Sequence, residues 1–538
     1  MHGLVQYEPL LLSRILQFAA ENFGRVPVIS WSPEGILRYD YAALEGRSRR
    51  LASALRKHGL GEGSVVGSLG GNDHRHVELF YAAPGIGAVL HTANARLAAE
   101  QIAYTVNVAG ERMLFSDPAS LPQIAEMRPH LTNLETVVVM AEGQPEPLPG
   151  IARVIGYEEL IAEGDEAFEW PSFDERAAST LCFTSGTSGD PKGVLYSHRG
   201  TYLSAVSIAA PNYWGIGHDD TVLAMAPICH CNAWAAPYLA PMAGAGLVLP
   251  GRSFDGPSVH RMITEGGVTV ATGVPTIWLG VLEHCRRTGQ DLGRLNRVVA
   301  GGSAPPPELI RVMAQDFGVR TLQVWGMTET THAATMRATG TDVESEAWKA
   351  APQGRPTFGT RIRIVDDAGE PLPRDGATRG QLQVRGSWVA TSYLGRDDVV
   401  LCDPDGWLNT GDVAALSEDG QLRIADRIKD VIKSGGEWIS SIDLENAAIS
   451  FPTVSEAAVV GVPHPRWMER PIMVVVPREG ERLDENALRA FLQERVPKLW
   501  LPDAIVVVEE LEYTSTGKVK KSVLRERYQA LLSEEAAG

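Results

Sequence analysis

Basic residues are in short supply. In 538 residues, 49 Lys and Arg stand against 66 Asp and Glu, a formal net charge of −17. A nucleic-acid binder shows a basic face, and none is legible here, so that class is set aside. An acidic surface favours solubility without barring an anionic ligand, because local backbone N–H groups and a few Lys or Arg side chains can hold phosphate. Cysteine is scarce too. Cys182, Cys229, Cys231, Cys285 and Cys402 form an odd, sparse set that suits reduced thiols and not a disulfide framework. Cys229-His230-Cys231 has no second Cys/His pair near it, and its spacing is poor for a tetrahedral zinc site. No apolar run reaches the ~18 residues of a membrane span. Met1 to Leu12 lacks the basic start and cleavage pattern of a signal peptide. The expectation is a cytoplasmic protein with no integral membrane segment and no nucleic-acid partner. There is no internal repeat or low-complexity tract.

A chain of this length exceeds one compact core and predicts two to four domains or subdomains. Short β-rich runs alternate with helical patterns through the first 350 residues. Val137 to Met140, Val222 to Met225, Gly246 to Leu249 and Arg297 to Ala300 read as buried strands, and Tyr41 to His58 and Pro305 to Phe317 as helices. That alternation predicts open α/β sheets with parallel strands. After about residue 355 the texture changes. Arg361 to Val365, Gln381 to Arg385 and a hairpin turning at Glu418-Asp419-Gly420 predict a small antiparallel β subdomain. A helix start follows at Ser440, with Asp443 three residues on and Ile439 and Leu444 placed as a hydrophobic staple. Strands at Ala457 to Val462, Ile472 to Val476 and Ile505 to Val508 complete a small α+β unit. The expected fold is therefore α/β: a large N-terminal domain of stacked α/β sheets with a small β subdomain, residues 1–428, then a mobile α+β C-terminal domain, residues 429–538.

The strongest motif is Thr184-Ser185-Gly186-Thr187-Ser188-Gly189-Asp190-Pro191-Lys192-Gly193. Glycines let backbone N–H groups turn toward an anion, hydroxyls donate to phosphate oxygens, and Lys192 supplies a point charge. It is not a Walker A loop, which needs Gly before the Lys and Ser or Thr after it. The string resembles the phosphate loop of the adenylate-forming superfamily, and above all that of the medium- and long-chain fatty acyl-CoA synthetases and their methylmercaptopropionate relatives. The resemblance runs from His91-Thr92-Ala93-Asn94 to the C-terminus.

That family implies an AMP-forming acid–thiol ligase using ATP, Mg²⁺ and coenzyme A, and a homodimer. It implies a nucleotide site of Thr184, Ser185, Gly186, Thr187, Ser188 and Lys192; of Gly302, Ser303 and Ala304; of Gln323, Val324, Trp325, Gly326, Met327 and Thr328; and of Asp412, Arg427 and Lys433. Trp325 would offer its face to adenine, and Asp412 would accept from the ribose hydroxyls with Arg427 assisting. Glu329, with Thr184 near it, would hold the magnesium, a hard cation that takes oxygen ligands. Lys429 matches the hinge. Lys433, Gly435, Gly436, Glu437 and Trp438 match the coenzyme A face. Lys518, in Thr516-Gly517-Lys518, matches the catalytic lysine, which serves one half-reaction and leaves for the other; Lys192, Glu329 and His230 complete the catalytic set. The acyl pocket would be walled by Cys229, His230, Asn232, Trp234, Val274, Trp278 and Gly301, with Trp234 matching a gate.

Departures from the family pattern stand out. Cys229 replaces a usual Phe, Cys231 a common Val and Ser188 a common Thr, and Asn409 stands where Arg or Lys is frequent. The loop after Glu329 is shorter than in long-chain relatives. The loss of a ring at 229 points to a pocket widened for a bulky or cyclic acid. The alternatives are an enzyme that performs only the thioester-forming half-reaction, one that loads a carrier protein, and an inactive binder of this fold.

Overall fold

The computed structural model describes residues 3–32, 34–184, 190–338, 353–435, 437–478, 480–513 and 519–532. Two compact units emerge. One takes the described residues of Met1–Lys349 with Gln353–Arg361 and Arg385–Leu408; the other takes Ile362–Val384 and the described residues of Asn409–Gly538.

The first unit carries two mixed sheets. The nine-stranded sheet runs through Arg355–Pro356, Ala333–Ala338, Arg320–Gly326, Arg297–Ala300, Val270–Gly273, Thr221–Ala224, Gly246–Leu249, Pro27–Ser32 and Gly35–Asp40. The strands from Arg320–Gly326 to Gly246–Leu249 are parallel to their neighbours in that series. Val270–Gly273 is buried throughout and Thr221–Ala224 and Arg297–Ala300 nearly so, as parallel strands covered on both faces must be. The seven-stranded sheet runs Arg153–Gly156, Thr136–Val139, Met113–Ser116, Val65–Leu69, Val89–Thr92, Ala178–Phe183, Gly193–Ser197, and closes on an antiparallel pair. Helices between strands start at side-chain caps: Asp40 accepts from the Ala43 N–H, Ser197 from that of Gly200 and Asp255 from that of Ser258. The α/β alternation expected from sequence is there. Several boundaries move by one to four residues, and one of them has a plain local cause: the helix expected from Pro305 begins at Pro307. Pro305 and Pro306 each precede a proline, which drives them out of helical backbone geometry.

A four-stranded sheet follows in the order Thr360–Val365, Arg379–Gly386, Leu408–Leu416, Leu422–Arg427. The C-terminal sheet places Ile432–Ser434 between Glu437–Ile439 and Met468–Pro477, with Val454–His464 and Ala504–Val507 also pairing to Met468–Pro477. Ser440 caps the helix Ser441–Ile449, accepting from the Asp443 N–H at 3.1 Å, and Ile439 and Leu444 are both buried beside it. Among the described residues, no helix is long and apolar enough to cross a membrane.

Candidate active site

Four of the motifs leave neighbouring parallel strands at their carboxyl ends, where ligands of open α/β sheets bind. Thr221–Ala224 leads to Cys229–Trp234, Val270–Gly273 to Val274, Arg297–Ala300 to Gly301–Ala304, and Arg320–Gly326 to Met327–Glu329. Gly302, Ser303, Ala304 and Gly326 are exposed, whereas Val324, Trp325, Met327 and Thr328 are half-buried. Gly326 is glycine for a local reason: a Cβ there would lie 2.4 Å from the His332 carbonyl oxygen. Gln323 is buried, and among the described residues its side-chain Oε1 has no hydrogen-bond partner.

The phosphate loop hangs from the antiparallel hairpin of the other sheet. Its two ends are locked together: the Thr184 N–H donates to the Lys192 carbonyl at 3.0 Å, and the Lys192 N–H donates to the Thr184 hydroxyl at 3.1 Å. Ser185, Gly186, Thr187 and Ser188 lie outside the described residues. The Lys192 ammonium sits over the ring of Tyr393, 5.2 Å from its centroid. The Tyr393 hydroxyl donates to Glu329 Oε1 at 2.5 Å. Burial, reinforced by the Glu329 charge, raises the pKa of this phenol above the ordinary value, so it keeps its proton and stays a donor. Tyr196, also buried, donates to the Thr328 carbonyl at 2.7 Å and joins the phosphate-loop hairpin to the Glu329 motif. Neither tyrosine was singled out from sequence, where a lone Tyr between motifs carries no signal.

The acyl-wall candidates meet around an unusual turn. Cys231, Asn232, Ala233, Trp234 and Ala235 all have positive φ, from 46° to 66°, so five consecutive non-glycine residues run left-handed. Such geometry costs about 1–2 kcal/mol per residue. Asn, which tolerates it best, is the buttress. Asn232 is fully buried, donates to Thr180 Oγ1 at 2.9 Å and accepts from the Cys182 thiol at 3.7 Å, while its carbonyl takes the Ala235 N–H at 3.0 Å. Asn232 thus anchors the turn to the strand entering the phosphate loop. The turn lays the Trp234 ring beside Gly301 and Gly302, where ideal Cβ atoms would lie 3.2 and 4.0 Å from it, and Val274 and Val324 close the same wall. Cys231 Sγ faces the Met327 carbonyl at 3.8 Å. Burial pushes the Cys229 thiol up to about 12. His230 is half-buried at the start of the turn. Trp278 sits elsewhere: it is fully buried in the core that includes Leu223, Met225 and Val298, its indole against Gly273.

In the second unit, Asp412 and Arg427 are opposite each other across antiparallel strands, with Arg427 Nε 2.8 Å from the Asp412 carboxylate. Asp412 is buried and Arg427 half-buried. Asn409 is turned away from charge recognition, donating to Gln381 Oε1 at 2.7 Å. Lys429 is exposed, and its carbonyl accepts from Arg525 at 3.1 Å. Lys433 is exposed and pairs across a short hairpin with Trp438, its ammonium 5.9 Å from the ring. Gly435 has φ +59°, and a Cβ there would meet the Trp467 ring at 2.6 Å. The positive φ and that ring both call for glycine at this position. Gly436, the Glu437 side chain and Thr516-Gly517-Lys518 lie outside the described residues.

These residues fit the groups the sequence calls for. Glu329 offers a carboxylate and Thr184 a hydroxyl, both hard oxygen donors, and among the described residues no group of three or more His, Cys, Asp or Glu could hold an ion. One carboxylate suits Mg²⁺, which keeps waters and takes substrate phosphates for its other positions. The unpaired Gln323 oxygen is an acceptor suited to an amino group of the nucleotide.

Comparison with known proteins bears on the chain as a whole. The model of the AMP-binding enzyme family matches residues 16–394, and that of the AMP-binding enzyme C-terminal domain matches 443–518. The chain is 44% identical to a 3-methylmercaptopropionyl-CoA ligase of Ruegeria pomeroyi, over 99% of this chain and all of that one. It is 40% identical to a medium-chain-fatty-acid–CoA ligase of Ectopseudomonas oleovorans, over 99% and 98% of the two chains. Among solved structures, an anthranilate CoA ligase in complex with anthranoyl-AMP superposes with a TM-score of 0.85 at 23% identity, covering 98% of this chain and 99% of the other. A likeness at that identity speaks for the fold.

Proposed function

Because the chain belongs to the AMP-binding enzyme family, we propose that it is an acyl-CoA ligase, joining an apolar carboxylic acid to AMP and passing the acyl group to coenzyme A. The overall reaction consumes acid, ATP and coenzyme A and releases acyl-CoA, AMP and pyrophosphate. The observation that carries this reading is the convergence of Lys192 and Glu329 on Tyr393.

A carboxylate is a weak nucleophile and its hydroxide a poor leaving group, so the acid oxygen attacks the α-phosphorus and pyrophosphate departs. Catalysis of that step is positioning and charge neutralisation. The Lys192 ammonium neutralises departing phosphate charge. The Mg²⁺ held by Glu329 and Thr184 would screen the remaining phosphate charge. Trp325, Gly302, Ser303 and Ala304 border the adenine, Gln323 pairs with its amino group, and Asp412 with Arg427 reads the ribose. Trp234, Val274 and Gly301 exclude water from the acyl chain. Trp278 supports that wall from the core behind it. In the same reading residues 429–538 pivot at Lys429, so that Lys518 serves adenylation and the Lys433–Trp438 hairpin serves thioester formation. Cys229, smaller than the Phe usual in relatives, selects a bulky or cyclic acid. The enzyme works as a cytoplasmic homodimer, a state that sedimentation velocity measures directly.

The test is to incubate the protein with ATP, Mg²⁺, coenzyme A and a panel of fatty, aryl and polycyclic acids, following acyl-AMP and acyl-CoA separately by mass spectrometry. Acyl-CoA from a free acid supports the full ligase. Acyl-CoA only from supplied acyl-adenylates restricts it to the second half-reaction. Acyl-AMP without acyl-CoA points to a carrier protein as acceptor, and no product of either kind overturns the enzyme reading.

A further inference from the structure

We propose that Tyr393 is a positioning residue that sets both charges of the phosphate-and-metal site and prevents them from neutralising each other. The inference rests on reading Lys192 as phosphate-binding and Glu329 as metal-binding.

Lys192 and Glu329 arrive from different sheets, and an ammonium beside a buried carboxylate would ordinarily collapse into an ion pair, even with the exposed Asp398 carboxylate within electrostatic reach of Lys192. Among the described residues no ion pair joins them. Tyr393 occupies the place between. Its ring carries the ammonium on one face, and its hydroxyl fixes one carboxylate oxygen. Among the described residues the other carboxylate oxygen accepts no hydrogen bond, which leaves it for a cation. Tyr393 is itself held firmly. It is 9% exposed, and its segment is stitched to both motifs. The Ala390 N–H donates to the Glu329 carbonyl at 2.8 Å, Thr331 Oγ1 to the Trp388 carbonyl at 2.6 Å, and the Leu394 N–H to the Gly193 carbonyl at 2.8 Å. One ring therefore references the lysine at the exit of the phosphate loop to the carboxylate after the Arg320–Gly326 strand. A neutral aromatic can do this where a charged residue could not, since it attracts the cation without cancelling it.

The two functions of the side chain separate by mutation. Tyr393→Phe keeps the ring and removes the hydroxyl. Its Mn²⁺ affinity in the presence of ATP, read by electron paramagnetic resonance, should fall about tenfold, while metal-free ATP binding by calorimetry and the KM for the acid stay within twofold. Tyr393→Leu removes the spacer, so Lys192 drops onto Glu329 and metal-free ATP binding weakens about tenfold as well. Adding Glu329→Gln to Tyr393→Leu should restore metal-free ATP binding and leave Mn²⁺ binding poor. Unchanged Mn²⁺ affinity in Tyr393→Phe, or no rescue in the double variant, overturns the proposal. Glu329→Gln alone separates the two levels. If it leaves Mn²⁺ binding intact, the reading of Glu329 fails and the proposal with it; if it weakens Mn²⁺ binding while Tyr393→Phe does not, only the proposal for Tyr393 fails.

Discussion

Gly301→Ala should damage acid recognition and spare ATP. A Cβ built on Gly301 falls 2.5 Å from Val324 Cγ2, 3.2 Å from the Val324 carbonyl oxygen and 3.2 Å from Trp234 Cη2. The first contact is closer than real Cβ atoms come, so something must yield. The Val324 backbone belongs to a strand paired on both sides and cannot. Its side chain is β-branched and stiff at χ1, and forcing it about 30° off rotamer costs roughly 0.5–1.5 kcal/mol. Trp234 is carried on the left-handed turn that Asn232 pins, so its retreat costs more. Overpacking of this kind totals about 1–3 kcal/mol. If that falls on the acyl wall, kcat/KM for the acid drops roughly 5- to 150-fold. The KM for ATP should move less than that for the acid, because the methyl strikes the Val324 side chain and the Trp234 ring, with the Val324 backbone held in its strand and the exposed Gly302–Ala304 backbone untouched. Steady-state kinetics with each substrate varied in turn, supported by a thermal melt to exclude unfolding, decide the matter. An equal rise in both KM values, or no change in either, would refute the placement of Gly301 and Trp234 in the acyl wall.

Other outcomes follow from the same geometry. Cys229→Phe puts a ring into the acyl wall and should weaken a bulky or cyclic acid by about tenfold more than a slim chain, on the scale of 1–3 kcal/mol for overpacking; equal losses in competition kinetics would count against a widened pocket. Asp412→Asn removes the charge that faces Arg427 at 2.8 Å. It should raise the KM for ATP about 10- to 100-fold, the worth of a charged hydrogen bond, and erase the preference for ATP over 2′-deoxy-ATP; a preference that survives removes Asp412 from the ribose site. Burial lowers the His332 pKa from 6.5 to about 3. A depressed histidine lends stability above its unfolded pKa and loses it as pH falls toward the folded value. The stability advantage of wild type over His332→Gln should therefore shrink between pH 6.5 and 4.5 by about 1.4 kcal/mol per unit, as denaturant titration at several pH values would register; a constant advantage contradicts a neutral buried imidazole.

Local rules account for what was legible in the chain. Apolar runs bounded by turn residues marked the strands, and Ser440 with Asp443 marked a helix start that the structure caps in that way. The turn at Glu418-Asp419-Gly420 does join antiparallel strands, Leu408–Leu416 and Leu422–Arg427. What escaped was set by residues far apart. Nothing in Cys231 to Ala235 predicts a left-handed turn, since only Asn232 favours that geometry; Thr180 and Cys182 hold it there. Trp278 follows the Val274 loop in sequence, yet its helix turns it inward to the core. The Trp467 ring that crowds Gly435 lies far along the chain, so the local string does not announce that contact.

The distribution of the candidate site over two sheets explains why bridging residues matter more than their types suggest. Strand ends of one sheet can present an acyl wall and an adenine platform, but the phosphate loop hangs from the other sheet, and sheet registers alone do not fix the distance between them. Side-chain contacts across the gap do, among them Asn72 to the Ala224 carbonyl, Asn232 to Thr180, Tyr196 to the Thr328 carbonyl, and Tyr393 between Lys192 and Glu329. Each is a hydrogen bond or ring contact worth on the order of 1 kcal/mol to stability. In-line attack at phosphorus is far more demanding, since an error of 1 Å in placement can cost about a hundredfold in rate. Substitutions at Tyr196 and Tyr393 should therefore cost kcat far more than they lower the melting temperature, whereas loss of Asn232, which holds the left-handed turn, should lower both.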